Sequence, residues 1–297
     1  IINPVTGKRI VKSWRFDTFF PVARRTYLEL ETALNCPLWQ ELPMIRLLPD
    51  ADAGNQWAAR LALPDYSAIL GERPDAGSWS GLLTPAFGYG EIRQAARVDF
   101  PMLLDALRTY FTAKGCFLHQ ALTPEAAVEQ ARHVDYIIFC EGARGASNPF
   151  FPGLNWQLSK GESLLFRLRQ PETGAVREMV KHQLTLAPLG GGLYWAGATY
   201  QWDFEDDGPS DSEQSILEKQ LSAMLAVPFE VVHRFGAVRP TVKDRRPLLG
   251  ISTVHPKMVL FNGLGTKGAL LAPYWAEHLA AHLLEGAALD GEVDIQR

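Results

Sequence analysis

The stretch Met258-Val-Leu-Phe-Asn-Gly-Leu-Gly-Thr-Lys-Gly-Ala-Leu-Leu-Ala-Pro-Tyr-Trp-Ala-Glu-His-Leu-Ala-Ala-His-Leu-Leu284 decides the fold. Met258 to Phe261 read as a short buried strand, and Ala269 to Leu284 carry the 3.6-residue period of a helix packed on a sheet. Between them Gly263, Gly265 and Gly268 form a G-x-G-x-x-G string. Glycines at a sharp turn let backbone N–H groups come close to a ligand. A helix start behind them adds about half a positive charge. The turn therefore suits an anion or an electron-rich ring edge. The alternative is a turn that serves packing alone.

The dinucleotide-binding form of this string needs a second strand, with an acid about 20 residues further on. Only Gly286-Ala-Ala-Leu-Asp-Gly-Glu-Val-Asp-Ile-Gln-Arg297 follows the helix, so the turn is not read as one that holds ADP. Upstream, Pro228 to Phe235 read as a strand leading into Val238-Arg-Pro-Thr-Val-Lys-Asp-Arg-Arg-Pro-Leu-Leu-Gly250. Arg239 precedes Pro240, which biases it to an extended backbone. A guanidinium held there suits a carboxylate; the competing reading is a loop ion pair with Asp244.

Further upstream, Tyr136-Ile-Ile-Phe-Cys140 is continuously apolar, as in a parallel strand buried on both faces. It runs into Glu141-Gly-Ala-Arg-Gly-Ala146, small residues of the kind found where ligands meet strand ends. Helices are expected from Thr18 to Leu34 behind Asp17, from Asp99 to Gly115, and from Asp211 to Ala226 behind Asp211 or Ser212. In the second, Met102, Leu103, Ala106, Leu107 and Tyr110 form the apolar stripe. Short antiparallel strands are expected at Met44–Leu48, Tyr66–Leu70, Gly81–Thr84, Gly88–Val98, Glu162–Leu168, Met179–Leu184 and Gly192–Ala198. Blocks of parallel type (1–38, 99–150, 236–297) thus alternate with antiparallel blocks (39–98, 151–235).

The 297 residues are about two domains by a rough scale of 150 residues each. A net charge of −4 argues against nucleic acid as a partner, and no apolar run reaches the ~20 residues of a membrane span. Three isolated cysteines, Cys36, Cys116 and Cys140, fit a reducing cytoplasm. His278 and His282 have metal-capable spacing but no evident third ligand, so no metal is expected; His182 reads as a sheet histidine. The opening Ile1-Ile2-Asn3-Pro4 reads like the middle of a protein.

Three stretches together resemble the D-amino acid oxidase / glycine oxidase (DAO) family of FAD-dependent oxidoreductases. They are Ile137–Arg144 with Lys160-Gly-Glu162, Gly236–Gly250, and Asn262–Pro273; Gly197-Ala-Thr199 adds to them. The resemblance implies an α/β (α+β) fold, in which an FAD/NAD(P)-binding-type Rossmann-like domain is interleaved with an antiparallel-sheet substrate domain. It implies that 1–38, 99–150 and 236–297 bind FAD, that 39–98 and 151–235 form the substrate domain, and that the ADP-binding βαβ unit of the family is missing ahead of residue 1. It also implies oxidation of a small amine or amino acid by hydride transfer to flavin, with an electron acceptor left open. An FAD-dependent dehydrogenase of a 2-hydroxy acid or of a modified nucleoside amine, and a flavin-free fragment without activity, are the alternatives.

By the same resemblance Arg239 takes the substrate carboxylate, and Lys267 adds positive charge at the reacting centre. Gly263, Leu264, Gly265, Thr266, Lys267 and Gly268 face the cofactor, Thr6, Gly7, Lys8 and Arg9 lie on the loop nearing the flavin, and Gly142 and Ala143 lie near its ribityl-diphosphate part. Glycine oxidases usually carry a histidine where Leu264 stands and an arginine where Thr266 or Lys267 stands; Thr185 takes the place of their tyrosine. The expected substrate is therefore not simply glycine.

Overall fold

Alternation of apolar and polar residues builds the large sheet. Ile45 and Leu47 point to one face of the strand Met44–Leu48, and Met44, Arg46 and Leu48 to the other. The computed structural model describes residues 1–169 and 176–297. The chain divides into two units: residues 1–16, 40–97 and 160–237 form the first, and residues 17–39, 98–159 and 238–297 the second. Residues 1–16, expected with the flavin-binding blocks, fold with the first unit. There Val5 and Thr6 pair with Lys12 and Val11, and Ile2 bridges Ala96.

The sheet of eight strands runs in the order Phe229–Arg239, Ser159–Leu168, Leu193–Gly197, Thr185–Gly190, Met179–Lys181, Met44–Leu48, Gly88–Ile92 and Leu70–Arg73. It is mixed, because Met179–Lys181 runs parallel to Met44–Leu48. Its core face gathers Ile45, Val180, Leu186, Tyr194, Ala196, Leu164 and Phe166. Leu217, Leu221 and Met224 of the helix Asp211–Met224 belong to the same core. The cap of that helix is Ser210, whose hydroxyl accepts from Glu213 N, and not Asp211 or Ser212.

Glu162 fixes this helix start to the sheet. Its carboxylate accepts Ser210 N at 2.8 Å and Ser210 Oγ at 2.9 Å. Lys160 Nζ meets Glu162 Oε1 at 3.1 Å, with the two side chains only 4% and 2% exposed. An ion pair taken out of water to this degree survives only while both partners are present.

Several expected strands are replaced. Pro64–Tyr66 is a 3₁₀ turn, and the strand there is Leu70–Arg73. Gly81–Thr84 contributes only a bridge from Leu83 to Leu225. Gly88–Val98 is broken at Gln94, with φ of +53°, into Gly88–Ile92 and Ala96–Val98. Ala51–Leu61, unassigned in sequence, is a helix capped by Asp50 that buries only Trp57.

In the second unit Met258–Asn262 is the middle strand of three, antiparallel to Leu248–Ile251 and parallel to Ile137–Phe139. The core here is Val242, Leu248, Met258, Leu260, Phe150 and Phe151. The helix Phe16–Leu34 holds Asp17 within its first turn rather than as its cap. Tyr27 Oη donates to Ala269 O at 3.0 Å, and Phe19 packs on Trp275, which joins that helix to Gly268–Glu285.

Two burial expectations fail in this unit. Ile137–Phe139 is an edge strand, and its Ile138 is 47% exposed. In the helix Phe100–Ala113, capped by Asp99, only Leu103 of the expected stripe is buried, while Met102 and Tyr110 are exposed. Among the described residues no helix is long and apolar enough to cross a membrane.

Lys160→Met should strand the Glu162 carboxylate and lower stability by about 3–5 kcal/mol, the scale for breaking a buried pair. Urea denaturation followed by tryptophan fluorescence checks this.

Candidate active site

In the second unit two strands that run parallel both end in glycine turns. Ile137–Phe139 leads to the 3₁₀ turn Gly142–Ser147, and Met258–Asn262 leads to Gly263 and the 3₁₀ turn Gly265–Lys267. Asn262, only 4% exposed, joins the two. Its Nδ2 donates to Gly142 O at 2.9 Å, and its Oδ1 accepts from Gly263 N at 2.9 Å. A Cβ on Gly145 would lie 2.5 Å from Asn262 Nδ2, so the carboxamide needs a glycine beside it.

The segment after Arg239 closes on the same place. Thr241 N donates to Arg239 O at 2.8 Å, and Gly265 N donates to Pro240 O at 3.2 Å. Thr241 Oγ1 and Ser159 Oγ share a buried hydrogen bond of 2.9 Å. Arg239, Gly142, Gly263, Leu264, Gly265, Thr266, Lys267 and Gly268 all belong to this unit. Asp244, the alternative partner considered for Arg239, pairs with Arg297 at 2.9 Å.

The helix Gly268–Glu285 follows directly on the 3₁₀ turn Gly265–Lys267 and starts without a side-chain cap, so the positive end of its dipole is not offset by a capping side chain. Gly263 has φ of +73°, and a Cβ there would lie 3.0 Å from Leu248 and Val242, whereas a Cβ on Gly142 would meet nothing within 4 Å. The buried Nε1 of Trp156 has no partner among the described residues, and the Trp156 ring stands 3.8 Å from the Cβ position of Gly145. Burial, then the charges of Arg245 and Arg246, hold the Lys267 ammonium below the usual lysine range. Open backbone, an unpartnered indole donor, an uncapped helix start and clustered cations fit a large, electron-rich, anionic group such as a flavin.

Family comparison agrees with this geometry. Residues 18–282 match the family model of FAD-dependent oxidoreductases, DAO. The chain belongs to that family. FAD is the cofactor of the family, and the residues described above suit it. Similar solved structures include glycine oxidase from Geobacillus kaustophilus, 18% identical with a TM-score of 0.72 over 92% of this chain and 78% of that one. Iminodiacetate oxidase from Chelativorans sp. BNC1 is 16% identical, with a TM-score of 0.74 over 97% and 86%. L-amino acid deaminase from Proteus vulgaris is 11% identical, with a TM-score of 0.72 over 96% and 85%. At these identities the structures establish the shared FAD-oxidoreductase fold.

Thr6, Gly7, Lys8 and Arg9 lie in the first unit, on an exposed turn between Val5–Thr6 and Val11–Lys12. Gly7, with φ of +73°, lines two cavities of that unit, of about 190 and 540 Å³. Lys8 lines the larger one, and Arg9 uses its carbonyl to accept Arg60 Nε at 3.1 Å. Ala143 lies within the Gly142–Ser147 turn.

His278 Nε2 accepts from Asp290 N at 3.0 Å, and His282 Nδ1 lies 2.7 Å from Ala287 O, so both rings serve the chain end. No group of three metal-capable side chains occurs among the described residues. Sequence reading missed Asn262, Trp156 and Thr241. Their signal was faint: each is a single polar or aromatic residue whose role depends on a partner from a distant segment.

Asn262→Ala removes both bonds that join the glycine turns. Stability should fall by about 2 kcal/mol, the sum of two buried hydrogen bonds, as read from thermal or urea unfolding.

Proposed function

We propose that this protein oxidises a small amine or amino acid. The observation that carries the reading is the convergence, in one unit, of the Gly142 turn, the Gly263–Gly268 turn and the Arg239–Thr241 segment. FAD, when bound, supplies the acceptor for a hydride. The chain supplies position and charge. Arg239, half-buried at the end of the strand Phe229–Arg239, offers a guanidinium to a substrate carboxylate. Gly263, Leu264, Gly265, Thr266 and Gly268 give close backbone approach. The helix start and Lys267 set positive charge where negative charge gathers. Thr6, Gly7, Lys8 and Arg9 stand on the cofactor-facing turn of the first unit, and Gly142 and Ala143 face the phosphate side of the cofactor.

In this reading residues 17–39, 98–159 and 238–297 form the flavin-binding domain, and the eight-stranded sheet belongs to the substrate domain. The edge strand Ile137–Phe139, with Ile138 47% exposed, takes a further strand–helix unit that holds the ADP part. The three free cysteines support a cytoplasmic setting. The names of the similar enzymes, glycine oxidase, iminodiacetate oxidase and L-amino acid deaminase, support the substrate class.

The test is steady-state turnover of the FAD-loaded protein with amino acids. Arg239→Ala should raise KM for a carboxylate substrate by the equivalent of ~2–3 kcal/mol, the scale of a charge-assisted hydrogen bond. An unchanged KM would remove Arg239 from the site.

A further inference from the structure

Three segments of the second unit frame a cavity of about 400 Å³ that the amine-oxidation reading does not use. The first two are zipped together. Gln157 N donates to Thr241 O at 2.8 Å, Lys243 N donates to Asn155 O at 3.1 Å, and Trp156 forms a bridge with Val242. The third, residues 293–295, lies against the strand Leu248–Ile251. Leu249 N donates to Val293 O and Ile295 N donates to Leu249 O, each at 2.9 Å. Ile295 rests on Gly250, where an added Cβ would lie 3.0 Å from Ile295 Cγ1. Backbone hydrogen bonds thus hold the walls in place, as in a pre-formed small-molecule site.

The floor is apolar and the rim is charged. Val242 and Leu248 are buried, with Leu154 and Ile295 half-buried beside them. Asp244 is engaged within the chain. Its Oδ2 meets Arg297 Nε at 3.0 Å and Nη2 at 2.9 Å, and its Oδ1 accepts Arg246 N at 3.0 Å. Lys243 is exposed and has no ion-pair partner among the described residues. The neighbouring Asn155 carboxamide has no hydrogen-bond partner among them either. At Gly153, with φ of +78°, no side chain narrows the opening. The rim side chains therefore leave one positive charge uncompensated, with an amide next to it, above an apolar floor.

We propose that this cavity binds a small aromatic monocarboxylate, its ring on Leu154, Val242, Leu248 and Ile295 and its carboxylate on Lys243 and the Asn155 amide. The volume lies within the roughly 300–1,000 Å³ of small-molecule sites. An aromatic ring buries a large apolar area with little conformational freedom to lose. The Lys243 ammonium gives the carboxylate a charge-assisted hydrogen bond, and the amide adds a neutral one. One uncompensated cation matches a single negative charge. A multiply charged anion meets Asp244, and a cationic ligand meets Lys243 and Arg297. Arg239, Lys267 and the glycine turns assigned to amine oxidation take no part in lining it.

The experiment is a methyl-resolved NMR titration of the whole chain with phenylacetate and, separately, with phenylacetamide, its uncharged counterpart. Phenylacetate should produce saturable shifts in the methyls of Leu154, Val242, Leu248 and Ile295. Phenylacetamide should bind at least tenfold more weakly, the effect of losing a hydrogen bond between charged groups. Lys243→Glu alters an exposed side chain and leaves the packed floor intact; it should weaken phenylacetate at least tenfold, while Lys243→Arg retains binding. Arg239→Ala should leave these shifts unchanged. Shifts confined to methyls away from the cavity, shifts lost in Arg239→Ala, equal binding of acid and amide, binding unaltered in Lys243→Glu, or no saturable shift at all would overturn the proposal. No FAD and no turnover enter the measurement, so its failure leaves the amine-oxidation reading untouched.

Discussion

The carboxamide of Asn262 is the constraint on which the second unit depends. One side chain donates to the carbonyl that opens the first glycine turn and accepts from the N–H that opens the second. Both turns follow strands that run parallel, so their ends lie at the same edge of the small sheet. Parallel strands present their carboxyl ends together, and a ligand approaching that edge meets backbone from two loops at once. Buried as it is, the amide can satisfy these two groups only if both turns hold their places, and each turn needs glycine to come that close. The joint restricts backbone geometry first; chemistry follows from what that backbone leaves open.

Electrostatics then divides the labour. At the second unit's glycine turns the charge is carried by an uncapped helix start and a cluster of Arg245, Arg246 and Lys267. In the first unit the sheet keeps one ion pair deep in its framework, Lys160 with Glu162, whereas in the second unit Lys243 stands at a cavity rim without an acid among the described residues. The first arrangement holds a helix to a sheet. The second faces a cavity. Identical residue types thus serve opposite ends, and the presence or absence of a partnering carboxylate tells them apart.

Much of this was legible in sequence where a local rule was strong. The strand Met258–Asn262 and the helix Gly268–Glu285 followed from an apolar run, glycines and a helical period. Asp99 with Pro101 marked the helix Phe100–Ala113, although its apolar stripe proved largely exposed because only Leu103 meets a core. The helix Ala51–Leu61 escaped notice because it buries a single aromatic, Trp57, and is otherwise built mostly of small and polar residues. Tyr66–Leu70 looked like a strand by composition, yet Pro64 fixes a 3₁₀ turn ahead of it. The site residues that went unseen are those defined by pairing across distant segments. Nothing near Ser159 in the sequence announces Thr241, and nothing near Asn262 announces Gly142.

The central proposal is a flavin held at the glycine turns of the second unit and reduced by an amine or amino acid. Anaerobic absorption spectroscopy of the FAD-loaded protein tests this most directly. A bound oxidised-flavin band that bleaches on addition of an amine or amino acid is the predicted result. A protein that stays colourless in excess FAD, or a flavin band that persists with every such substrate, would contradict it.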